Sequence, residues 1–521
     1  MRRWLENAPL HPFLLAGYPA FALLATNLGQ VRPGIAARAL ALSLAAAGAA
    51  LLLLRWVMRE WQRPALLVSW GLLLFYSYGH LYNALRPILF MGTHLGRHRF
   101  LLPVGAALAL AGSWWILRRP VAPSWLTGAL NLGLAAAILL PLGRILVNSA
   151  GSAFASREGG AAESAAGDLR LAESGPLPDI YFVILDAYAR EDTLRERFEF
   201  DNRPFLDALE GMGFNVAGCA QSNYSQTELS LAATLNMQYL TDMIDERVQD
   251  EAGRAQLWPL IRHSRVRRLL EGLGYRTVAF ETGYYWTEWE DADVYLAPDR
   301  GLLQGMSAFE ATLLRSTAAW ALIDALPVLP AFLQRDLDRS TDAHRERLLY
   351  DFDQLETMSE IPGPKFVFAH IVSPHRPFVF GADGNPVDDD YTWTRSDLGL
   401  EAYREGYRQQ LTYLNRRMER IFRTIVDEAA GRVVIIVQGD HGPEEGSSQD
   451  RMRILSASYL AGHEVDTAHP ALSPVNTFRY ALSSLFGADL PLVEDVSYFS
   501  TYDSPFDYNI ISGECAGESD P

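Results

Sequence analysis

The chain has 521 residues, of which 49% are hydrophobic, and it carries a formal net charge of −17 at pH 7. The charge is divided unevenly, because residues 1–150 contain thirteen arginines, no lysine and two acidic residues, whereas the remainder is strongly acidic. A basic, apolar first part and an acidic second part predict a membrane domain followed by a water-soluble domain. The soluble part has no basic stripe, so we expect no nucleic acid among its partners.

Five apolar stretches in the first part approach the roughly 20 residues that a membrane-spanning helix needs. They cover residues 8–27, 36–54, 65–84, 101–117 and 125–147. This pattern predicts an N-terminal α-helical transmembrane bundle of five spans over residues 1–150. The alternative is a buried helical bundle in a soluble protein. A cleaved signal peptide is disfavoured, because four further apolar stretches follow the first.

Arginines in the short loops predict the orientation, since cytoplasmic loops carry an excess of Lys and Arg. With the N-terminus inside, the cytoplasmic segments hold seven arginines and the outer loops hold four. Five crossings then place everything after Val147 on the outer face. The predicted location is the bacterial cytoplasmic membrane, with the soluble domain in the periplasm or outside the cell. If the first stretch does not span, counting crossings does not decide the side.

The second part of the chain begins with a predicted linker over residues 151–176, which are rich in Ala, Gly, Ser and Glu without sustained apolar periodicity. From 177 to 521, apolar runs of strand length alternate with amphipathic helical stretches at 201–213, 262–273 and 401–429. This alternation predicts an α/β domain with a largely parallel central sheet. Ligands gather at the carboxyl ends of strands in such sheets, so the residues after each apolar run are candidates for function.

Five apolar runs lead into polar, metal-capable or aromatic residues. The residues that follow the runs are a hydroxyl-rich segment after Cys219 and the side chains of Asp186, Glu281, Trp286, Trp289, His370, His375, Asp440 and His441. Individually, Asp186 is also explained as a helix cap, and His370 as a core histidine. The whole set favours a shared site at the carboxyl edge of the sheet.

The hydroxyl-rich segment, SNYSQTELSLAATLN at residues 222–236, places a threonine near the start of a helix. Ser225 and Glu228 have the S-x-x-E spacing of a capping box, which predicts a helix that begins at Ser225. Thr227 then lies in the first turn, beside free backbone N–H groups and the positive end of the helix dipole, where an anion is favoured. This position suits a residue that reacts with an anionic substrate.

The residue types at these positions suit a metal centre. Three oxygens and one imidazole nitrogen form a suitable shell for a single divalent ion, Mn²⁺ or Zn²⁺. The predicted ligands are Asp186, Thr227, Asp440 and His441. Coordination would lower the pKa of the Thr227 hydroxyl and make it a nucleophile.

The order of Asp186 after a strand, Thr227 at a helix start and Asp440-His441 after a strand resembles the alkaline phosphatase and sulfatase superfamily. The membrane-anchored branch, with lipoteichoic acid synthases and phosphoethanolamine transferases, is similar in architecture, because five spans precede its extracytoplasmic catalytic domain. The sequence TELS resembles the branch's nucleophilic threonine followed three residues later by serine. Asp186 departs from the branch, which usually has Glu there. PDIYFVILDAY, GDHG and SPVNTFR also resemble bacterial membrane proteins described only as sulfatase-like hydrolases or transferases.

The resemblance implies further site residues. PHRPF is similar to a substrate-contacting loop of the branch, which implies that His375 contacts substrate, and Trp286 is expected in an aromatic wall. His375 or His370 is expected to assist the leaving or entering oxygen. The predicted substrate-binding residues are His370, His375, Asn223, Trp286 and Arg479.

Two other activities of the superfamily are disfavoured. The C-x-P-S-R signature of formylglycine-dependent sulfatases is missing, since AQSN follows Cys219. Two-metal phosphatases need more ligands, and only two histidines follow His441, which favours one metal. Cys219 and Cys515 both fall in the exported part, where they form a disulfide or remain two thiols.

These observations predict a two-step transfer. Thr227 attacks the phosphorus of a phospholipid head group, a phospho-threonine forms and diacylglycerol leaves; a hydroxyl group then takes the phosphoethanolamine or phosphoglycerol group. The predicted partners are a membrane phospholipid donor and an envelope glycan or lipid acceptor, and the oligomeric state stays open. One alternative is a membrane-anchored phosphodiesterase or phosphatase, in which water takes the group. Another is a non-catalytic binding protein in envelope assembly.

Overall fold

The chain forms two compact units in the computed structural model. One consists of Met1–Ala150 with Gly301–Ser340, and the other of Gly151–Arg300 with Thr341–Pro521. The first unit therefore contains a segment that a division near residue 150 assigned to the soluble domain. The structure describes residues 8–27, 33–85, 89–90, 93–94, 98–118, 124–158, 177–244, 251–298, 307–319, 321, 331–387, 399–429, 431–460 and 472–513.

The described part of the first unit is mainly helical. Its elements are α1 (His11–Thr26), a 3₁₀ turn (Pro33–Ile35), α2 (Ala36–Met58), α3 (Gln62–Leu85), the short antiparallel pair β1 (Leu89–Phe90) and β2 (Thr93–His94), α4 (His98–Arg118), α5 (Ser124–Glu158) and a helix at Ala308–Arg315. Arg38 forms an ion pair with Glu310, so this later helix is tied to α2. Of the predicted linker, residues 151–158 continue α5, and residues 159–176 lie outside the described residues.

Three described helices are long and apolar enough to cross a membrane, namely Ala36–Met58, His98–Arg118 and Trp125–Val147. The prediction of five spans is not supported. α1 has only 16 residues, about 24 Å at 1.5 Å per residue, against a hydrocarbon core of roughly 30 Å. α3 has 24 residues, but polar side chains near both of its ends interrupt the apolar stretch. The side on which the second unit lies therefore stays a prediction.

The second unit alternates helices and strands, as the sequence pattern predicts. In chain order its elements are β3 (Asp179–Leu185), α6 (Glu191–Phe198), α7 (Arg203–Gly211), β4 (Asn215–Val216), α8 (Thr227–Asn236), 3₁₀ turns (Leu240–Asp242, Glu251–Gln256), α9 (Leu257–Arg262), α10 (Arg265–Gly272), β5 (Arg276–Phe280), β6 (Val294–Leu296), α11 (Ala331–Glu356, which begins in the first unit), a 3₁₀ turn (Met358–Glu360), β7 (Lys365–Ile371), α12 (Gly399–Glu428), β8 (Val433–Gln438), α13 (Ser448–Met452), β9 (Ser456–Leu460), α14 (Pro474–Phe486), β10 (Ser497–Phe499) and β11 (Asn509–Ile511).

The main sheet has seven strands among the described residues, in the order β4-β9-β8-β3-β7-β5-β6. β3 pairs in parallel with β7 and β8, and β5 pairs in parallel with β6 and β7. β9 is antiparallel to both β4 and β8, so it runs opposite to the other six strands of this sheet. The prediction of an α/β domain with a largely parallel sheet is therefore confirmed. Since β8, β3 and β7 are adjacent, residues after their carboxyl ends meet at one edge.

The central strand β3 is buried on both faces, which a parallel sheet covered by helices requires. Val183 and Leu185 pack in one apolar layer with residues of α11 and α12, and Phe182 packs in the opposite layer with α8 and α14. The Phe182 ring is fully buried and lies 4.9 Å from the ring of Phe478, centroid to centroid. Because both faces are covered, the open carboxyl edge is the part of this strand that is available for chemistry.

Candidate metal and phosphate site

Three of the predicted polar residues meet at the carboxyl edge of the sheet. Asp186 follows β3 directly, Asp440 follows β8, and His370 lies near the end of β7. One ligand atom from each lies within 4.8 Å of the other two, and all three side chains are buried. The neighbouring strands therefore bring together residues that are far apart in the sequence.

The backbone after Asp186 orients the second carboxylate. Ala187 has φ 64°, a left-handed conformation that a non-glycine residue seldom adopts. Its N–H donates to Oδ1 of Asp440 at 3.0 Å. This unusual turn therefore uses one oxygen of Asp440 and leaves Oδ2 facing the site.

The ring of His441 presents a lone pair to this edge. Its Nδ1 lies 2.7 Å from the carbonyl oxygen of Gly442, and because a carbonyl only accepts, Nδ1 carries the proton. Burial and the nearby Arg451 guanidinium lower the pKa of His441, so the ring is neutral. Its Nε2 lies 3.1 Å from Oγ1 of Thr227, 3.4 Å from Oδ2 of Asp440 and 3.6 Å from Oδ1 of Asp186.

Two carboxylate oxygens that face this lone pair are buried without a hydrogen-bond partner among the described residues. They are Oδ1 of Asp186 and Oδ2 of Asp440. Burial alone would raise the pKa of Asp186, but the positive charge of His375 and the hydrogen bond from His370 hold it well below its usual value, so Asp186 is a carboxylate. Unpaired buried anions are costly unless a cation lies between them. The donor set thus fits a divalent metal ion.

His370 is predicted to contact substrate, but in the structure it contacts Asp186. Its Nε2 lies 3.2 Å from Oδ2 of Asp186, its Nδ1 lies 3.4 Å from Oγ1 of Thr287, and only 1% of the residue is exposed. An ionised carboxylate only accepts, so Nε2 donates to Asp186. His370 therefore orients Asp186 and leaves Oδ1 of that carboxylate to the metal position.

Thr227 is the first residue of α8, and the predicted helix start at Ser225 is wrong. Gln226 is the N-cap residue, and no side chain caps the helix. The Ser225 hydroxyl instead donates to the carbonyl oxygen of Ser500 at 2.9 Å, and the Glu228 carboxylate pairs with Arg254. Tertiary partners have thus taken both members of the expected capping box. Thr227 still lies at the helix N-terminus, where backbone N–H groups attract an anion.

His375 contributes a positive charge beside the metal position. Its Nδ1 faces the carbonyl oxygen of Arg376, and its Nε2 lies 3.1 Å from Oε1 of Glu444. Burial alone would lower its pKa, but the carboxylates of Asp186 and Glu444 outweigh burial and raise the pKa to about 9. The ring is therefore an imidazolium near neutral pH, with its centroid 6.4 Å from that of His441.

Arg451 is a candidate that the sequence reasoning missed. From α13, its Nε donates to the carbonyl oxygen of Ser225 at 2.9 Å and its Nη1 to that of Gly442 at 3.3 Å. Its Nη2 then lies 3.3 Å from Nε2 of His441. Arg451 follows no strand end and matches no motif, so only the folding back of α13 reveals it. Glu444 was also missed, although it closely follows GDHG.

Of the remaining predicted substrate contacts, one lies near the site and two do not. Trp286 is buried with its ring centroid 6.2 Å from that of His370, so it packs against the His370 side of the site. Both amide hydrogens of Asn223 are used within the fold, on Tyr239 and Val496. Arg479 donates to the carbonyl oxygen of Met237, at the opposite end of α8 from Thr227. Asn223 and Arg479 therefore stabilise the fold, and neither is at the site.

Cys219 is part of a disulfide. Cys515, the only other cysteine in the sequence, lies outside the described residues. The predicted choice between a Cys219–Cys515 disulfide and two thiols therefore involves a residue outside the described ones.

The glycine after His441 leads to a testable prediction. A Cβ atom at Gly442 would collide with the backbone carbonyl of Asp450. We expect Gly442→Ala to displace His441 and lower the affinity for Zn²⁺ by about 10- to 100-fold, the range seen when support of a metal ligand is lost. Isothermal titration calorimetry measures the affinity. Gly218→Ala, where a Cβ meets nothing within 4 Å, is the control; equal affinities in the two variants would contradict the expectation.

No family model matches the chain, and no curated protein matches it. Among solved structures, it is similar to the periplasmic domain of EptC from Escherichia coli, at 13% identity over 65% of this chain and 93% of that chain, with a TM-score of 0.40. It is also similar to lipooligosaccharide phosphoethanolamine transferase A from Neisseria meningitidis, at 14% identity over 92% and 94% of the two chains, with a TM-score of 0.39. For lipoteichoic acid synthase LtaP from Listeria monocytogenes the values are 15%, 66%, 76% and 0.37. At this level of similarity, the arrangement of side chains in this chain is what makes the case for a function.

Proposed function

We propose that this protein is a metal-dependent enzyme that transfers a phospholipid-derived phospho-group, of the phosphoethanolamine or phosphoglycerol type, through a phospho-threonine. The observation that carries the proposal is the convergence of the Thr227 hydroxyl, the His441 lone pair and two partnerless carboxylate oxygens. Polar atoms without partners are unfavourable in a protein interior, and this set of oxygen and nitrogen ligands suits Mn²⁺ or Zn²⁺. The ligands in this proposal are Asp186, Thr227, Asp440 and His441.

In the first step, Oγ1 of Thr227 forms a bond to phosphorus, and the bond from phosphorus to the glycerol oxygen of the lipid breaks. A bound divalent cation would favour the alkoxide form of Thr227 and offset negative charge on the phosphoryl oxygens. His375, which is protonated near neutral pH, donates a proton to the departing oxygen, so that diacylglycerol leaves neutral.

In the second step, the hydroxyl of an acceptor attacks the phospho-threonine. His375, now neutral, takes the proton of that hydroxyl, and the bond from phosphorus to Oγ1 breaks, so that Thr227 is released in the alkoxide form. The N-terminus of α8 and the guanidinium of Arg451 supply positive charge for the non-bridging oxygens. In phosphoryl transfer, this charge stabilisation and the positioning of the reactants are the main contributions of the protein.

The apolar helices support the choice of a membrane phospholipid as the donor. Three described helices can cross a membrane, so a phospholipid in the same bilayer is available to the enzyme as a substrate. We propose that the second unit lies in the periplasm or outside a bacterial cell, where an envelope glycan or lipid accepts the group.

The decisive experiment uses the full chain in vesicles that contain phosphatidylethanolamine or phosphatidylglycerol labelled in the head group. We expect release of diacylglycerol that depends on added Mn²⁺ or Zn²⁺, together with a mass increase on the peptide that contains Thr227. Diacylglycerol release without that mass increase, in rapidly quenched samples, would contradict the covalent route.

The same experiment separates the alternatives. Labelled head group that appears free in solution, with none on an added glycan or lipid acceptor, identifies a hydrolase. If the protein binds no divalent ion and releases no diacylglycerol, the proposed function is wrong and the non-catalytic binding role is favoured.

Replacement of Arg451 is expected to raise the metal affinity and to lower the turnover rate. Because its Nη2 and the metal would both use the lone pair of His441, we expect Arg451→Met to bind Mn²⁺ several-fold more tightly. We expect its kcat to fall about 10²-fold, as when one donor to a developing oxyanion is removed. Calorimetry and lipid turnover measure the two quantities. Arg420→Met, at an exposed arginine of α12, is the control, and a weaker metal affinity in Arg451→Met would oppose this account.

A further inference from the structure

A single buried arginine binds the residues on both sides of Thr227. Arg254 is 3% exposed. Its Nη1 forms an ion pair with Oε2 of Glu228 at 2.5 Å, and its Nη2 donates to Oε1 of Gln226 at 2.6 Å. Its Nη2 also donates to the carbonyl oxygen of Tyr502 at 2.7 Å, and the guanidinium lies 4.2 Å from the centroid of the Tyr502 ring. Arg254 thus binds the side chains of Gln226 and Glu228 and does not bind the side chain of Thr227 between them.

We propose that Arg254 is a positioning residue for Thr227. The inference rests on the proposed function, in which Thr227 is the nucleophile. Arg254 holds the side chains at positions 226 and 228, and the peptide groups that flank Thr227 are thereby fixed relative to the metal position. Misplacement of a reacting atom by about 1 Å costs on the order of 10²-fold in rate, so such support matters for kcat.

The loop between β10 and β11 completes this support. The Gln226 amide nitrogen donates to the hydroxyl of Ser500 at 3.0 Å and to the carbonyl oxygen of Thr501 at 3.0 Å. The backbone N–H of Ser500 donates to the hydroxyl of Ser225, also at 3.0 Å. The Gln226 side chain therefore has Arg254 on its oxygen and the loop on its nitrogen, which leaves it little rotational freedom.

Arg254 also removes an unfavourable charge. The Glu228 side chain is 9% exposed and lies in the first turn of α8, where an anionic phospho-group would bind. An unpaired carboxylate there would repel the substrate and offset the positive end of the helix. The ion pair with Arg254 cancels that charge, and the planar guanidinium allows it to hold Gln226 at the same time. A lysine ammonium keeps the charge but does not provide this fork.

The test compares Arg254→Met, Arg254→Lys and the double variant Arg254→Met/Glu228→Gln with Arg262→Met. Arg262 is a matched control, because it also stacks on a tyrosine, Tyr285, at 5.0 Å and contacts neither Gln226 nor Glu228. Turnover is measured on vesicles of labelled phosphatidylethanolamine, metal affinity with Mn²⁺, and backbone mobility by hydrogen exchange.

We expect Arg254→Met to lower kcat about 10- to 100-fold with KM changed by less than about 3-fold. Amides of residues 225–230 should exchange faster, while those of β3 and β8 stay protected. Glu228→Gln in the double variant should restore at least about 3-fold of the lost kcat, because it removes a negative charge from the first turn of α8. Arg254→Lys should lie between Arg254→Met and the unaltered protein.

Two outcomes would overturn the inference. One is that Arg254→Met matches Arg262→Met in both kcat and exchange at residues 225–230. The other is faster exchange throughout β3 and β8, which would mean that Arg254 supports folding as a whole. If the unaltered protein shows no turnover, the proposed function fails, whereas hydrogen exchange still decides whether Arg254 holds the turn.

Discussion

Replacement of Thr227 by alanine is expected to abolish the mass increase on its peptide and to lower diacylglycerol release at least about 10³-fold, since loss of a nucleophile removes the covalent route entirely. The Thr227 hydroxyl is the atom 3.1 Å from Nε2 of His441. Quenched-flow mass spectrometry and lipid turnover measure the two effects. Among the described residues, no other hydroxyl is hydrogen-bonded to Nε2 of His441, so rescue by a neighbour is not expected.

Thr227→Ser is the matched control for that variant, because it keeps the hydroxyl and removes only a methyl group. We expect it to form the covalent adduct and to retain a measurable fraction of the rate. Metal-dependent turnover of Thr227→Ala close to that of the unaltered protein would mean that water attacks phosphorus directly, and the phospho-threonine would be ruled out.

Asp440→Asn is expected to weaken Zn²⁺ binding by at least about 10²-fold, because the replaced oxygen is Oδ2, the one without a partner. The metal-free protein should become more stable, by about 1–2 kcal/mol, since the amide removes one of two buried anions and can donate to the other. Calorimetric unfolding with and without Zn²⁺ measures both effects. In the unaltered protein, Zn²⁺ at about 100 times its Kd should add about 2.7 kcal/mol.

The control is Asp489→Asn, at an exposed aspartate that is remote in sequence from these ligands. It should leave the metal-free stability and the Zn²⁺ response unchanged. If Asp440→Asn binds Zn²⁺ as tightly as this control, the cation is held elsewhere, and the assignment of Asp440 as a ligand is refuted.

The sequence identified the central residues of the candidate site because they follow buried strands. Asp186 comes directly after an uninterrupted apolar run, and Asp440 follows another run after Gln438 and Gly439. A parallel sheet brings the carboxyl ends of adjacent strands to one edge. The apolar runs could be recognised locally, whereas the adjacency of β8, β3 and β7 depends on pairing between residues that are far apart in the chain. The convergence was therefore a hypothesis until the sheet order was known.

Local signals failed where tertiary contacts compete with them. Ser225 and Glu228 have the spacing of a capping box, but they bind Ser500 and Arg254 instead of the helix end. His370 was expected at the substrate and instead donates to Asp186. The predicted number of spans is not supported for a different reason. α1 has only 16 residues, and polar side chains lie near both ends of α3.

By itself, the sequence determined the division into an apolar, basic part and an acidic α/β part, the strand-terminal acids and the threonine at a helix start. These features depend on composition and on spacing within a few residues. Only the tertiary structure decided which oxygens are left without partners among the described residues, which imidazole nitrogen carries a lone pair, and that Arg451 and Arg254 lie beside the turn that contains Thr227. Hydrogen-bond satisfaction and charge compensation are properties of the packed chain, since each depends on groups contributed by distant segments.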